Sequence, residues 1–359
     1  MDKLRVIVCG TVFGRYYLEG LKLISDKYEL VGILSRGGQG SREAAERYGV
    51  PLYLNVDEIT KDIADVACVV VKSTIIGGEG TDIALKLLNK GIHVIQEQPV
   101  HLRDYQECLK AAHNNNCKYS LNTFYPNLSG IREMLDICKR LRDKNSISYI
   151  RAECSVQLLF PMLDIIGRAA GGLSGCDFEI LSGNKKQRFK VLNGTIKGIP
   201  VMLTVDNQID LTAKESNLTM FHRMQVGTPM GTLMLTDTHS ELLWLPVLHE
   251  DLKDLAPGEK NDMSNIRVCE SVTNSMDRSL GDIFNDIWPD CMREAFNKFY
   301  SDVQQKKYVT SENQYMMNLC RLWNDIGKLL GPYEKLDVVL ERPVSLKMIM
   351  KESGDTYAD

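Results

Sequence analysis

HVIQEQPVH, residues 93–101, is an apolar run that ends abruptly in Glu97, Gln98, Pro99 and a histidine. Val94 and Ile95 read as the end of a short strand buried on both faces, and Pro99 has no N–H with which to continue a ladder. The polar residues then stand at a strand's carboxyl end, the edge of a doubly wound sheet where ligands bind.

Working outward, DVACVVV (65–71) is a second buried strand, ending in Lys72, Ser73 and Thr74. Glycines 77, 78 and 80 lead into a helix from Thr81 to Asn89, which Gly91 ends. Further upstream, Leu4 to Cys9 reads as a strand, Gly10 to Gly14 as a turn and Tyr16 to Ile24 as a helix. The turn CGTVFG keeps only the third glycine of G-x-G-x-x-G. It still places the N–H groups of Gly10, Thr11, Val12, Phe13 and Gly14 at a helix N-terminus, where a pyrophosphate is favoured. The competing reading is a tight loop that only links strand to helix. Tyr28 to Leu34 is the next strand. It ends in Ser35 and Arg36, with Ser41 and Arg42 close behind, where an NAD site carries an acidic residue for the ribose hydroxyl. Hydroxyl and guanidinium groups suit a 2′-phosphate, which favours NADPH over NADH. Here the alternative is a solvated, glycine-rich loop.

A helix from Arg42 to Tyr48, a strand from Val50 to Leu54, a helix from Tyr105 to Asn114 and a strand from Lys118 to Leu121 complete the alternation. Strand and helix in turn argue a parallel sheet with right-handed crossovers. After a helix from Ser129 to Arg142 the pattern changes to short strands: 147–155, 178–182, 200–206, 220–226, 232–237 and 242–247. GTPMG (227–231) is a hairpin loop between two of them. The polar stretch 250–280 is expected to be a mobile loop over the site. Helices from Asp290 to Gln305 and from Ser311 to Leu330 follow, then a strand within Leu336 to Met350. The expected fold is α/β: a Rossmann-type parallel sheet over residues 1–124, then an α+β domain over 125–359 with an open-faced, largely antiparallel sheet and C-terminal helices packing back.

The chain has 359 residues, 44% of them hydrophobic, enough for two domains, and a net charge of −4 that gives no basic excess for nucleic acid. Ten cysteines include no CxxC pair, and no histidine pairs with cysteine at metal-ligand spacing, so no metal is expected. The opening MDKLRVIVCG is too short an apolar run for a signal peptide and no window approaches a membrane span, which predicts a cytoplasmic protein. His93 reads as a satisfied core residue and His113 as helix surface. His249 falls in the polar loop, and His222 and His239 fall in the second sheet, the latter a possible pocket wall.

The assembly resembles the glucose-fructose oxidoreductase and inositol dehydrogenase superfamily. Within it the chain is most similar to the thiazolinyl imide reductases of siderophore biosynthesis. The motifs that carry this are VCGTVFGRYYLEGL, ILSRGGQGSREAAERYGVPLY, VVVKSTIIGGEGT, HVIQEQPVH, NTFYPNL, CSVQLLFPMLDI and VGTPMGTLMLTDTHSELLW. The resemblance implies NADPH-dependent reduction of a thiazoline C=N bond to a thiazolidine, on a substrate tethered to a carrier protein of a nonribosomal peptide synthetase. It maps the family's proposed proton donors onto His101 and Tyr125, and it implies a homodimer. Lys72, Ser73, Thr74, Glu97 and Gln98 join the glycine turn, Ser35, Arg36 and Ser41 as the cofactor-facing set. Sugar dehydrogenases of the superfamily carry Glu-Lys-Pro where this chain has Glu97-Gln98-Pro99, and a neutral amide cannot move an alcohol proton. Lys139, Arg140, Arg142 and Lys144, or Lys185, Lys186, Arg188 and Lys190, are candidate surfaces for an acidic carrier. The alternatives are another NADP-dependent oxidoreductase of the same fold, acting on a sugar or imine, and a non-catalytic NADPH-binding sensor.

Overall fold

The computed structural model describes residues 3–72, 79–181, 187–210, 218–248, 265–273, 275, 277–305, 310–336 and 343–352. Six parallel strands alternate with helices through the first third of the chain. They are β1 (Leu4–Cys9), β2 (Tyr28–Leu34), β3 (Leu52–Tyr53), β4 (Val66–Val69), β5 (His93–Glu97) and β6 (Tyr119–Asn122), in the order β3-β2-β1-β4-β5-β6. The interleaved helices are α1 (Gly14–Lys22), α2 (Gln39–Tyr48), α3 (Gly80–Asn89) and α4 (Leu102–Asn114). Strand order reverses between β1 and β4, which opens a crevice at their carboxyl ends. The strands are apolar throughout because both faces are covered: Val6, Ile7, Val8, Val66, Ala67 and Val94 are all fully buried.

A linking helix α5 (Ser129–Asp143) leads into β7 (Tyr149–Ser155) and α6 (Leu159–Ala170). Then come β8 (Asp177–Ile180), β9 (Phe189–Ile196), β10 (Ile199–Asp206), β11 (Gln208–Ile209), β12 (Arg223–Thr228), β13 (Gly231–Leu235), β14 (Leu242–Pro246) and β15 (Glu270–Ser271). All but β11 form an eight-stranded sheet, β15-β14-β13-β12-β7-β10-β9-β8, antiparallel except where β7 meets β10. One face is closed and the other open. On β7, Ile150, Ala152 and Cys154 are buried while Tyr149 and Arg151 are exposed, and on β10 Val201 and Leu203 are buried beside exposed Met202.

The chain returns through α7 (Leu280–Asp282), a π-helical stretch over Ile283–Ile287, α8 (Trp288–Gln304) and α9 (Thr310–Leu330). Helix α8 lies across α1 so closely that a Cβ on Gly20 would meet the Met292 Cβ at 2.5 Å. The last elements are β16 (Glu334–Lys335), which pairs with β11, and α10 (Leu346–Glu352).

Several expectations need correction. Residues 346–352 form a helix, not the tail of a strand. LKMIMKE has lysines at the first and last turns of an apolar run with no β-branched series, which favours helix over strand. Helix α6 and strand β9 were not anticipated. LFPMLDIIGRAA is buried all round, so it carries no polar face from which to read a period. The stretch expected to be a mobile loop is partly anchored: β15 pairs with β14, and Glu241 accepts hydrogen bonds from Ser271 and from the Ser275 N–H and hydroxyl. Residues 249–264, among them His249, lie outside the described residues, as do Lys185 and Lys186.

Candidate active site

The first part of the site is the turn between β1 and α1. Gly10 has φ +90°, and a Cβ there would sit 2.6 Å from the Val70 carbonyl oxygen, so only glycine lets the chain cross the end of β4. Thr11 and Val12 lie at the surface of the turn. Phe13 turns inward, with ring centroids 5.3 Å from Tyr16, 5.3 Å from Phe124 and 5.8 Å from Trp288. Helix α1 has no acidic residue in its first turn, so its N-terminal N–H groups face no competing carboxylate.

Past β2, Ser35 accepts the Gly37 N–H at 3.0 Å, which shapes the following loop. Arg36 is 85% exposed and pairs with Glu79 at 3.1 Å, an exposed pair of little strength that leaves the guanidinium free to move to another anion. Ser41 is 5% exposed and donates to the Gly38 carbonyl at 2.7 Å, so its hydroxyl shapes the loop rather than projecting from it. Arg42 donates to the Gly37 carbonyl at 2.8 Å. Lys72 is exposed at the carboxyl end of β4, and Ser73 and Thr74 lie outside the described residues.

At the end of β5, Glu97 is gripped from two neighbouring elements. The Tyr17 hydroxyl on α1 donates to Glu97 Oε2 at 2.5 Å, and Asn122 on β6 donates to the same oxygen at 3.3 Å and to the Tyr17 oxygen at 2.7 Å. Glu97 is half-buried as a residue, and burial of its carboxyl pushes its pKa up to about 8. Gln98 Oε1 is buried with no hydrogen-bond partner among the described residues, and the Gln98–Pro99 peptide is cis.

The two expected proton donors follow β5 and β6, adjacent strands. His101 is the N-cap of α4, but its side chain makes no capping bond; its half-buried ring packs 5.3 Å from Trp323 of α9. Tyr125 is aimed by the backbone. Phe124 has φ +60°, ψ −73°, and the Tyr125 N–H donates to the Thr123 carbonyl at 2.8 Å, a γ-turn of a strained kind. Asn122 accepts the Phe124 N–H at 3.1 Å, and Cys291 donates its S–H to the Phe124 carbonyl at 3.2 Å. Tyr125 is 5% exposed and its ring stands 4.6 Å from that of His222. No described group hydrogen-bonds its hydroxyl, and burial raises its pKa, the more so when Glu97 is ionised.

Around this lies an aromatic wall that spacing alone did not disclose. Trp288 donates to His239 Nε2 at 3.2 Å, and Phe221 packs 5.5 Å from His239 and 6.4 Å from Tyr125. His222 sits between Thr238 (2.9 Å) and the Leu158 carbonyl (3.2 Å). Burial lowers His222 to about 3 and His239 to about 4, so both are neutral at physiological pH. His93 is satisfied but only half-buried, its Nδ1 accepting the Lys118 N–H at 2.8 Å.

A second network supports the γ-turn from below. Asp164 on α6 is fully buried and accepts from Thr123 (2.6 Å), Arg168 (2.8 Å) and Tyr315 (2.7 Å). Beside it a cavity of about 340 Å³ runs along the free edge of β6, lined by Lys118, Arg132, Arg168 and Glu312 among others. Asn122 and Thr123 also line it, while none of the sequence-predicted site residues does. The described residues include no group of His, Cys, Asp and Glu able to hold a metal, and no helix is long and apolar enough to cross a membrane.

The crevice fits a dinucleotide: a glycine-only backbone crossing, free N–H groups at a helix start, a basic second loop and a polar β5 end. The comparisons agree. Residues 4–123 match the model of the oxidoreductase family GFO_IDH_MocA, NAD-binding Rossmann fold, so the class is that of a Rossmann-type oxidoreductase. Residues 145–245 match the model of the thiazolinyl imine reductase Irp3-like, C-terminal domain. The first part of the chain is thus of the GFO/IDH/MocA oxidoreductase type, and the second carries an Irp3-like domain. No curated protein matches it. Among solved structures, a putative myo-inositol dehydrogenase from Sinorhizobium meliloti 1021 superposes with TM-score 0.64 at 10% identity, covering 91% of this chain and 97% of that one. UDP-N-acetylglucosamine 3-dehydrogenase GnnA from Acidithiobacillus ferrooxidans gives 0.61 at 13%, covering 92% and 100%. Myo-inositol 2-dehydrogenase from Lactobacillus plantarum gives 0.62 at 14%, covering 92% and 97%. At these identities the likeness is one of fold.

Proposed function

We propose that the protein uses NADPH to reduce the C=N bond of a thiazoline to a thiazolidine, on a carrier-tethered intermediate of nonribosomal siderophore synthesis. The observation that carries this reading is the match of residues 145–245 to the thiazolinyl imine reductase C-terminal domain, the part of the chain that holds His222, His239 and Phe221. The bound nicotinamide would supply the hydride to the imine carbon. Negative charge then develops on nitrogen, and a positioned acid stabilises it. Tyr125 suits that role because its hydroxyl is uncommitted at the end of a constrained turn, and His101 is the second candidate. The wall of Phe13, Trp288, Phe221 and His239 suits a flat, weakly polar ring. Gln98 supports the same direction: an amide takes no proton, so an alcohol substrate finds no base at that position.

The carrier would be met by exposed Lys139, Arg140 and Lys144 on and after α5, since Arg142 is already engaged with the carbonyls of Arg168 and Ala169. The protein would work in the cytoplasm as a homodimer. The test mixes it with NADPH or NADH and an aryl-thiazolinyl thioester while nicotinamide absorbance is followed. Fast NADPH oxidation with NADH much slower is expected; NADPH binding without oxidation refutes the reading.

A further inference from the structure

A carboxyl group at the end of β5 is held by donors from two sides and, among the described residues, is paired with no cation. Tyr17 and Asn122 both give their hydrogen bonds to Oε2 of Glu97, and Tyr17 is itself fixed by Asn122. The Gln98 backbone N–H also faces the carboxyl, and no described side chain donates to Oε1. The groups around the carboxyl are Tyr17 from α1, Cys68 from β4, Asn122 from β6, Tyr125 beyond it, and Cys291 and Met292 from α8. None of these is positively charged, and His101 turns instead to Trp323. A buried carboxyl without a cation keeps its proton. The carboxyl ends of β4 and β5 are where the second half of a dinucleotide lies in this topology, so the charge nearest to Glu97 in use is that of the nicotinamide ring.

We propose that Glu97 is the proton store of the site: it holds a proton beside the neutral reduced ring, ionises beside the cationic oxidised ring, and so times proton delivery to hydride transfer. The inference rests on the cofactor reading above. In the reductive direction, as the imine carbon gains a hydride, the Tyr125 O–H bond breaks toward the imine nitrogen. The Tyr125 oxygen recovers its proton from Glu97 by way of water, since no described hydrogen bond joins the two, and Glu97 is left as a carboxylate. The electrons come from the reduced nicotinamide, and the spent proton is restored from solvent once the oxidised cofactor has left the crevice. Tyr17 and Asn122 are positioning residues here, holding Oε2 so that Oε1 exchanges the proton.

The experiment needs no imine. Dissociation constants of NADP+ and NADPH are measured on the full chain from pH 6 to 9, for the parent and for Glu97→Gln and Tyr17→Phe. The 2′-phosphate titrates near pH 6 in both nucleotides, so the ratio of the two constants cancels it. In the parent, the preference for NADP+ over NADPH should grow as pH rises toward 8, by up to about tenfold per pH unit, because oxidised cofactor binds the ionised acid. In Glu97→Gln the ratio should be flat. In Tyr17→Phe, which removes a donor to the carboxylate, the rise should move to higher pH. A flat ratio in the parent, or a slope retained in Glu97→Gln, overturns the proposal and leaves the cofactor reading standing. Failure of both nucleotides to bind would overturn the cofactor reading together with it.

Discussion

Replacing Asp164 by asparagine tests whether the site is held from the second domain. Asp164 is fully buried and its two carboxylate oxygens take hydrogen bonds from Thr123, Arg168 and Tyr315, the Tyr315 hydroxyl also lying 3.0 Å from the Asp164 carbonyl oxygen. An amide retains one acceptor, so one donor is left facing an NH2 group. Arg168 also loses its closer carboxylate, though it keeps Glu312 at 3.0 Å. A hydrogen bond to a charged group contributes about 1.5–3 kcal/mol, and losing one while the other donors rearrange should cost roughly 3 kcal/mol. For a chain of this size that lowers Tm by roughly 5 °C. Thr123 is also the residue on which the γ-turn starts, and a displacement of about 1 Å at a reacting group costs on the order of 100-fold in rate. The variant should therefore lose stability by circular dichroism and turnover by nicotinamide absorbance, while NADPH affinity, on the reading proposed above, stays near the parent's. A variant that melts within a degree of the parent and turns over normally would refute the reasoning.

The other predictions are smaller in scope. Tyr125→Phe should melt as the parent does, since its hydroxyl has no bond among the described residues, and should lose about 10²–10⁴-fold in kcat; an unchanged kcat moves the acid role to His101. Arg36→Ala should weaken NADPH by roughly 10- to 100-fold with little effect on NADH, a charge-assisted contact being worth about 1.5–3 kcal/mol. Equal losses for both nucleotides would show that Arg36 does not read the phosphate. His222 is neutral and buried in the folded state, with its pKa lowered to about 3, whereas the unfolded chain protonates it near 6.5. Its stabilising contribution is therefore present above pH 6.5 and is lost as pH falls, about 2 kcal/mol between pH 6.5 and 5. Urea unfolding of the parent and of His222→Gln should show the shallower acid slope in the variant, and identical slopes would count against the assignment.

The sequence by itself determined the first domain almost element by element. A strand buried on both faces is a nearly unbroken apolar run, and DVACVVV and HVIQEQ cannot be read otherwise once glycine turns and amphipathic helices stand between them. Strand ends follow from strand positions, so Gly10, Glu97, His101 and Tyr125 could be placed at one edge before any coordinates. Gln98 for lysine was equally legible, since it is a change of chemistry at a known place. What only the tertiary structure decided is what these residues touch. The grip of Tyr17 and Asn122 on Glu97 joins residues 80 and 25 positions away from it. The support of Thr123 by Asp164, and the meeting of Phe13, Trp288 and His239, join residues across two domains. Such contacts depend on how helices α1, α6 and α8 pack, which local periodicity does not encode. The positive φ of Phe124 was hidden for a related reason: an aromatic residue gives no local signal for that conformation, and it is held there by bonds to Asn122 and Cys291 that exist only in the folded chain.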